Sequence, residues 1–239
     1  MDLGLRGRTA IVCGASSGLG LASAEALTQE GANVAMFARR REELERDADR
    51  IGALAVRGDV RNGADLERLV ERTLQAFGGI DIVIWNSGGP PAGKASEITD
   101  EQLESAFELL LQPAVRLVRL ALPHLRSSDA GRIVFITSAT VKEPSPHLAL
   151  SNALRPGLTG WAKTLSRELG PEGITVNCVA PGIIETQMTE HLPAEAVLKL
   201  IPMQRIGRPA EVAGAVAFLL SEEAGYITRQ VISVNGGLA

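Results

Sequence analysis

The sequence predicts an α/β fold in a single domain, built on a doubly wound, seven-stranded parallel sheet. Three observations predict it. Short apolar runs alternate with amphipathic, helix-like stretches along the whole chain, with no repeat, linker or low-complexity tract between them. The apolar runs are continuous, which marks strands covered on both faces. Strands separated by helices join through right-handed crossovers, which place helices on both sides of the sheet.

Thr9–Cys13 (TAIVC) opens as a buried strand, followed by glycines and an amphipathic helix to about Glu30. Asn33–Ala38 is the second strand, and a charged helix runs from Arg40 to Ile51. Ala53–Arg57 and Ile80–Trp85 are the third and fourth strands, flanking a helix over Ala64–Phe77. One long helix is expected from Thr99 to Arg126, with Thr99 and Gln102 spaced as a capping box. Arg132–Thr137 is the fifth strand, and a helical stretch follows to Leu169. Pro156 there either kinks the helix or starts it near Arg155. Gly173–Val179, a helix over Pro209–Ser221 and Gln230–Val234 complete the series.

The composition, 239 residues with 45% hydrophobic and 22% charged, is that of a globular chain. A net charge of −4 argues against a nucleic-acid surface and a polybasic membrane patch. Cys13 and Cys178 sit in apolar runs and are read as free buried thiols. Met1–Arg8 has no apolar stretch, and no run of apolar residues could span a bilayer, so a soluble, cytoplasmic protein is expected. No metal site is expected.

Ligands of such sheets bind beyond the carboxyl ends of the strands. After the first strand comes Gly14-Ala-Ser16-Ser17-Gly18-Leu19-Gly20. Glycines let the backbone approach a pyrophosphate, whose charge suits the helix N-terminus behind it. An NAD site wants an acid about 20 residues beyond that loop. Arg39, Arg40 and Arg41 stand there instead, before Glu42. Guanidinium groups suit a 2′-phosphate, so NADP is favoured over NAD.

The Gly-x-x-x-Gly-x-Gly spacing resembles that of the short-chain dehydrogenase/reductase family, and the resemblance extends over nearly the whole chain. Leu5-x-Gly7-Arg8 is similar to the family's start. Asp59-Val60 resembles its adenine contact, and Asn86-Ser87-Gly88-Gly89 its Asn-Asn-Ala-Gly segment, with Trp85 in place of the first Asn. Pro181-Gly182-Ile-Ile184-Glu-Thr186 resembles the clamp on the nicotinamide carboxamide. Arg205–Glu211 and Val234–Gly237 resemble the C-terminal signatures. The 3-oxoacyl-(acyl carrier protein) reductase branch is the nearest in flavour. The resemblance implies a Rossmann-like fold, hydride transfer between nicotinamide and a carbonyl or alcohol carbon, and pairing of helices into a homotetramer or homodimer.

It also implies a Ser, a Tyr and a Lys, with an Asn on the long helix. Ser138 matches the Ser. The Tyr position falls on Ser151, the Lys position on Arg155 and the Asn position near Leu110. Tyr226, the one tyrosine, belongs to the C-terminal signature. A serine is a far weaker acid than a phenol, and an arginine stays protonated. Arg155 can still hold ribose hydroxyls or a developing oxyanion. His147, one helical turn before Ser151, is the best replacement acid by pKa, with Lys142 and Glu143 nearby. His124 and His191 are read as bland.

The sequence thus supports an NADP(H)-linked oxidoreductase with a rearranged acid/base site formed by Ser138, Ser151 and Arg155. A catalytically silent nucleotide binder and an enolate-forming, non-redox activity are the alternatives. Residues 187–202 are expected to form a substrate lid, in which Met188, Leu192, Leu198, Leu200 and Ile201 face either an apolar ligand or the body of the protein.

Overall fold

The computed structural model describes residues 2–190 and 192–239. Seven parallel strands form one sheet: β1 (Thr9–Cys13), β2 (Asn33–Ala38), β3 (Leu54–Arg57), β4 (Ile82–Trp85), β5 (Arg132–Ile136), β6 (Thr175–Pro181) and β7 (Val231–Val234). Their order is β3-β2-β1-β4-β5-β6-β7. The order reverses direction between β1 and β4, whose carboxyl ends therefore part to leave a crevice.

The helices are α1 (Gly18–Gln29), α2 (Arg41–Ile51), α3 (Gly63–Phe77), α4 (Asp100–Leu110), α5 (Gln112–Ser127), α6 (Ala149–Leu169), α7 (Ala194–Leu200) and α8 (Pro209–Leu220). They cover both faces, so each central strand is buried along its length and the core is two clusters. One gathers Phe37, Val83, Trp85 and Phe135 under α3, α5 and α6. The other gathers Val12, Met36, Ile84 and Val179 under α1 and α8. Trp85 pairs in register with Phe135, whose ring meets Trp161 of α6 edge-on at 5.7 Å. Such an aromatic pair is worth about 0.5–1.5 kcal/mol beyond its buried area. Trp85 is thus a core residue.

Two helices differ from the reading of the sequence. The long helix expected over Thr99–Arg126 is broken at Leu111 (φ −110°, ψ −57°) into α4 and α5. Pro113 follows the break; it has no N–H to donate and its ring crowds the preceding turn. The capping box is formed, with the Gln102 N–H donating to Thr99 Oγ1 at 3.3 Å and the Thr99 N–H to Gln102 Oε1 at 3.1 Å. Helix α6, by contrast, runs unbroken through Pro156. It neither starts at Arg155 nor ends there, so Ser151 and Arg155 keep their one-turn separation.

Cys13 and Cys178 are free and buried, and burial raises both thiol pKa values, that of Cys178 to about 12. Within the expected lid, residues 194–200 form α7, with Val197 and Ile201 buried and Met188 and Leu200 exposed. His191 lies outside the described residues. On α4 and α5, Leu110 and Val118 are buried in the chain itself, whereas Leu103 and Phe107 are exposed. No helix of the described residues is long and apolar enough to cross a membrane.

Candidate active site

The crevice between β1 and β4 opens into a cavity of about 510 Å³. Its floor is the turn from β1 into α1. Gly14 has φ +62°, and a Cβ there would lie 2.6 Å from Asn86 Nδ2 and 2.9 Å from the Asn86 carbonyl oxygen. Gly18 has φ +56°, and a Cβ would press on Thr186 Cγ2 at 3.3 Å. Ser16, Ser17 and Leu19 complete the wall of the turn. No side chain caps α1, and its first turn carries no acid. Its first N–H groups and positive dipole end are therefore available to an anion.

Gly20, the last glycine of the turn, packs closely on it. It is buried and does not line the cavity. A Cβ on it would lie 2.2 Å from the Gly14 carbonyl oxygen, so its role is to let α1 sit against the turn. Asp59 also lies off the wall, which is formed by its neighbours Gly58 and Val60. The Asp59 carboxylate accepts from the Arg61 N–H at 3.0 Å and so closes a turn after β3.

At the end of β2, Arg39 is exposed at the rim. Arg40 reaches across the mouth, donating to Ser16 Oγ and to the Ser16 carbonyl at 3.3 Å, and to Gln187 Oε1 at 3.2 Å. Beyond β4, the Asn86 amide donates to the Gly14 carbonyl at 3.4 Å, and Ser87 and Gly88 follow it along the wall. Beyond β6 come Pro181, Gly182, Ile184 and Thr186. A Cβ on Gly182 would lie 2.8 Å from Asn235 Cα, which explains a glycine there. Thr189 Oγ1 donates to the Ile184 carbonyl at 2.6 Å and accepts from the Thr186 N–H at 3.0 Å, fixing this segment against the cavity.

Ser138, Ser151 and Arg155 all line the cavity. Ser138 follows β5, and its Oγ accepts from the Thr140 N–H at 3.2 Å. Ser151 is buried with its Oγ 3.4 Å from Thr140 Oγ1. Thr140 escaped the sequence reading; its spacing of two from Ser138 was the available sign. Arg155 is buried too. Its guanidinium donates to the Thr137 carbonyl at 2.9 Å and to the Gly88 carbonyl at 3.4 Å, so it ties the loops after β4 and β5 together. Burial pushes its pKa down to about 10, which leaves it charged at neutral pH.

The candidate replacement acids are not at this site. His147 precedes α6, with φ +61°, and is exposed, so it shares no helical face with Ser151. Lys142 and Glu143 are exposed as well, and none of the three lines the cavity. Leu109, next to Leu110, does line it, as do Pro90, Leu148 and Met188.

A family model described as Enoyl-(Acyl carrier protein) reductase matches residues 14–239. The chain belongs to the short-chain dehydrogenase/reductase family. Among relatives of this family, Nodulation protein G of Rhizobium sp. (strain N33) is 38% identical over 241 residues, covering 98% of each chain. The 3-oxoacyl-[acyl-carrier-protein] reductase of Vibrio cholerae is 35% identical over 241 residues, covering 99% of each. Among solved structures, the L-sorbose reductase of Gluconobacter frateurii, in complex with NADPH and L-sorbose, superposes with a TM-score of 0.94 at 31% identity. That match covers 100% of this chain and 98% of the other. Membership in the short-chain family makes this chain an oxidoreductase by kinship, with the seven-stranded parallel sheet the family uses.

Proposed function

We propose that this chain is an NADP(H)-dependent oxidoreductase acting on a carbonyl or alcohol substrate, with an atypical acid/base site of Ser138, Ser151 and Arg155. The observation that carries the reading is one cavity lined by the uncapped N-terminus of α1, by Arg39 and Arg40, and by Ser138, Ser151 and the buried Arg155. Glycines that a Cβ would obstruct make room for a pyrophosphate, and among the described residues the cavity wall carries no carboxylate to repel one. When bound, the nicotinamide supplies hydride chemistry. Ser138 and Ser151 orient the substrate oxygen, Arg155 holds ribose or that oxygen, and residues 187–202 serve as the lid. A panel of carbonyl compounds with NADPH and NADH, followed at the nicotinamide absorbance band, tests the reading. A silent nucleotide binder, favoured by the missing Tyr and Lys, would bind NADPH and turn over nothing in the panel.

Cofactor choice rests on Arg39 and Arg40, since a guanidinium pairs with a 2′-phosphate bidentately. NADPH is expected to bind about tenfold or more tightly than NADH, because a charge-assisted contact is worth ~1.5–3 kcal/mol. Arg39→Asp and Arg40→Asp should each narrow or invert that preference. Calorimetry showing equal or tighter NADH binding by the unmutated protein would refute it.

The exposed Leu103 and Phe107 on α4, beside the Leu154–Leu169 stretch of α6, support association as a homodimer or homotetramer. Light scattering at micromolar concentration should give a multiple of 25.2 kDa, and a monomer mass would exclude it.

A further inference from the structure

Arg155 is a buried charge without a counter-charge. It is 8% exposed, lines the cavity, and donates to three carbonyl oxygens, those of Ile136, Thr137 and Gly88. Carbonyl dipoles accept its hydrogen bonds but leave a full positive charge inside the protein. Burial alone lowers its pKa, and no acid acts on the guanidinium to offset that burial. Among the described residues no Asp or Glu lines the cavity, and the two positions outside them, Met1 and His191, carry no carboxylate. A buried charge is costly until an anion pairs with it.

The groups that suit a nucleotide's phosphates stand elsewhere on the sheet. They are the first N–H groups of α1, after β1, and Arg39 and Arg40, after β2. The Arg40 guanidinium bonds to Ser16, beyond β1, and that of Arg155 to Thr137, beyond β5. Strands β1 and β5 are two strand spacings apart, or about 10 Å. No single phosphate spans that gap. A guanidinium carries five N–H donors in a planar fork that matches a carboxylate, and the described bonds use only Nη1 and Nη2. Ser151 stands one turn before Arg155 on α6, which sets their Cβ atoms about 5–6 Å apart. That spacing suits a short molecule with a carboxylate at one end and a keto or hydroxyl oxygen near the other.

We propose that the substrate is a short oxo acid or its hydroxy-acid counterpart, whose carboxylate pairs with Arg155 while Ser138 and Ser151 hold the keto or hydroxyl oxygen. The proposal rests on the nicotinamide-linked reading above, and it gives Arg155 a specificity role in place of the ribose or the reacting oxygen. The two substrate forms differ by one hydride, exchanged with the nicotinamide, and one proton, exchanged with solvent. Leu109 and Leu148 offer an apolar wall to the hydrocarbon part.

The test uses the whole protein saturated with NADP+, which cannot reduce an oxo acid, so that binding alone is read. Calorimetry follows pyruvate, acetoacetate and levulinate, each against its neutral methyl ester. At least one acid should bind about tenfold or more tightly than its ester, the worth of a charge-assisted contact. Arg155→Met should bring acid and ester to equal affinity, and Arg155→Lys, which keeps the charge, should restore part of the preference. Arg155→Met also cuts the tie between two loops, so Ser151→Asp keeps the test decisive if that variant does not fold. Its carboxylate, one turn from Arg155, supplies the counter-charge from within and should remove the preference for the acid. Equal affinity for acid and ester in all three pairs of the unmutated protein would overturn the proposal. So would a preference that survives Arg155→Met or Ser151→Asp. An arginine that holds ribose would show instead as weaker NADP+ binding in Arg155→Met with acid and ester bound alike throughout, and that result too would overturn it. NADPH binding is read separately by fluorescence. Its absence would refute the nicotinamide reading and the proposal with it, whereas NADPH bound with no preference for an acid would overturn the proposal alone.

Discussion

Gly20→Val is expected to abolish nucleotide binding and to destabilise the fold by ~3 kcal/mol, the upper part of the usual cost of overpacking. The first added carbon already lies 2.2 Å from the Gly14 carbonyl oxygen and 2.9 Å from Asn86 Nδ2. Neither neighbour can give way cheaply. Gly14 has a left-handed backbone at φ +62°, and Asn86 begins the wall segment after β4. Relief therefore requires α1 to move off the turn, which withdraws its N-terminal N–H groups from the cavity. Gly214→Ala is the matched control. It lies inside α8, nothing stands within 4 Å of its added Cβ, and it should stabilise by about 0.5–1 kcal/mol. Thermal denaturation and calorimetry with NADPH read both variants. Gly20→Val with wild-type stability and affinity would show that the contact is not what places a glycine there.

This contrast also explains what the sequence could disclose. Continuous apolar runs specify buried parallel strands because a strand covered on both faces has no polar side, and all seven runs became strands within two residues of the expected ends. The glycine turn was legible because its context, strand before and helix after, has one common geometry. What each glycine does was not legible. Gly14 lines the cavity and Gly20 packs behind it, a distinction made by a carbonyl contact that spacing does not encode. Pro113 and Pro156 show the same limit. Both sit in helical patterns with the same local penalty, yet the chain breaks just before Pro113 and continues through Pro156. Burial of Ser151, Arg155 and Leu158 on one face of α6 offsets one lost hydrogen bond. His147 looked well placed by counting, but counting presumed a helix that begins only at Ala149.

Restoring the family's phenol and amine should produce the largest gain. The double change Ser151→Tyr with Arg155→Lys is expected to raise reduction of a saturated ketone by ~10²–10⁴-fold, the usual worth of a positioned general acid. The unbroken α6 makes the test fair, since both side chains stand one turn apart at the cavity wall and Pro156 does not displace them. A lysine ammonium beside the new phenol would lower its pKa toward neutrality, which neither Ser151 nor Arg155 can imitate. Each single change should fall short: Ser151→Tyr lacks the ammonium, and Arg155→Lys loses the donors that now hold the Thr137 and Gly88 carbonyls. His147→Ala should leave every rate where it was, since that side chain is exposed outside the cavity. Steady-state kinetics with NADPH and a saturated ketone separate the outcomes. An unmutated protein that already reduces saturated ketones at ordinary enzyme rates of about 1–10³ s⁻¹ would overturn this account, because the described residues of the cavity wall include no acid to deliver the proton.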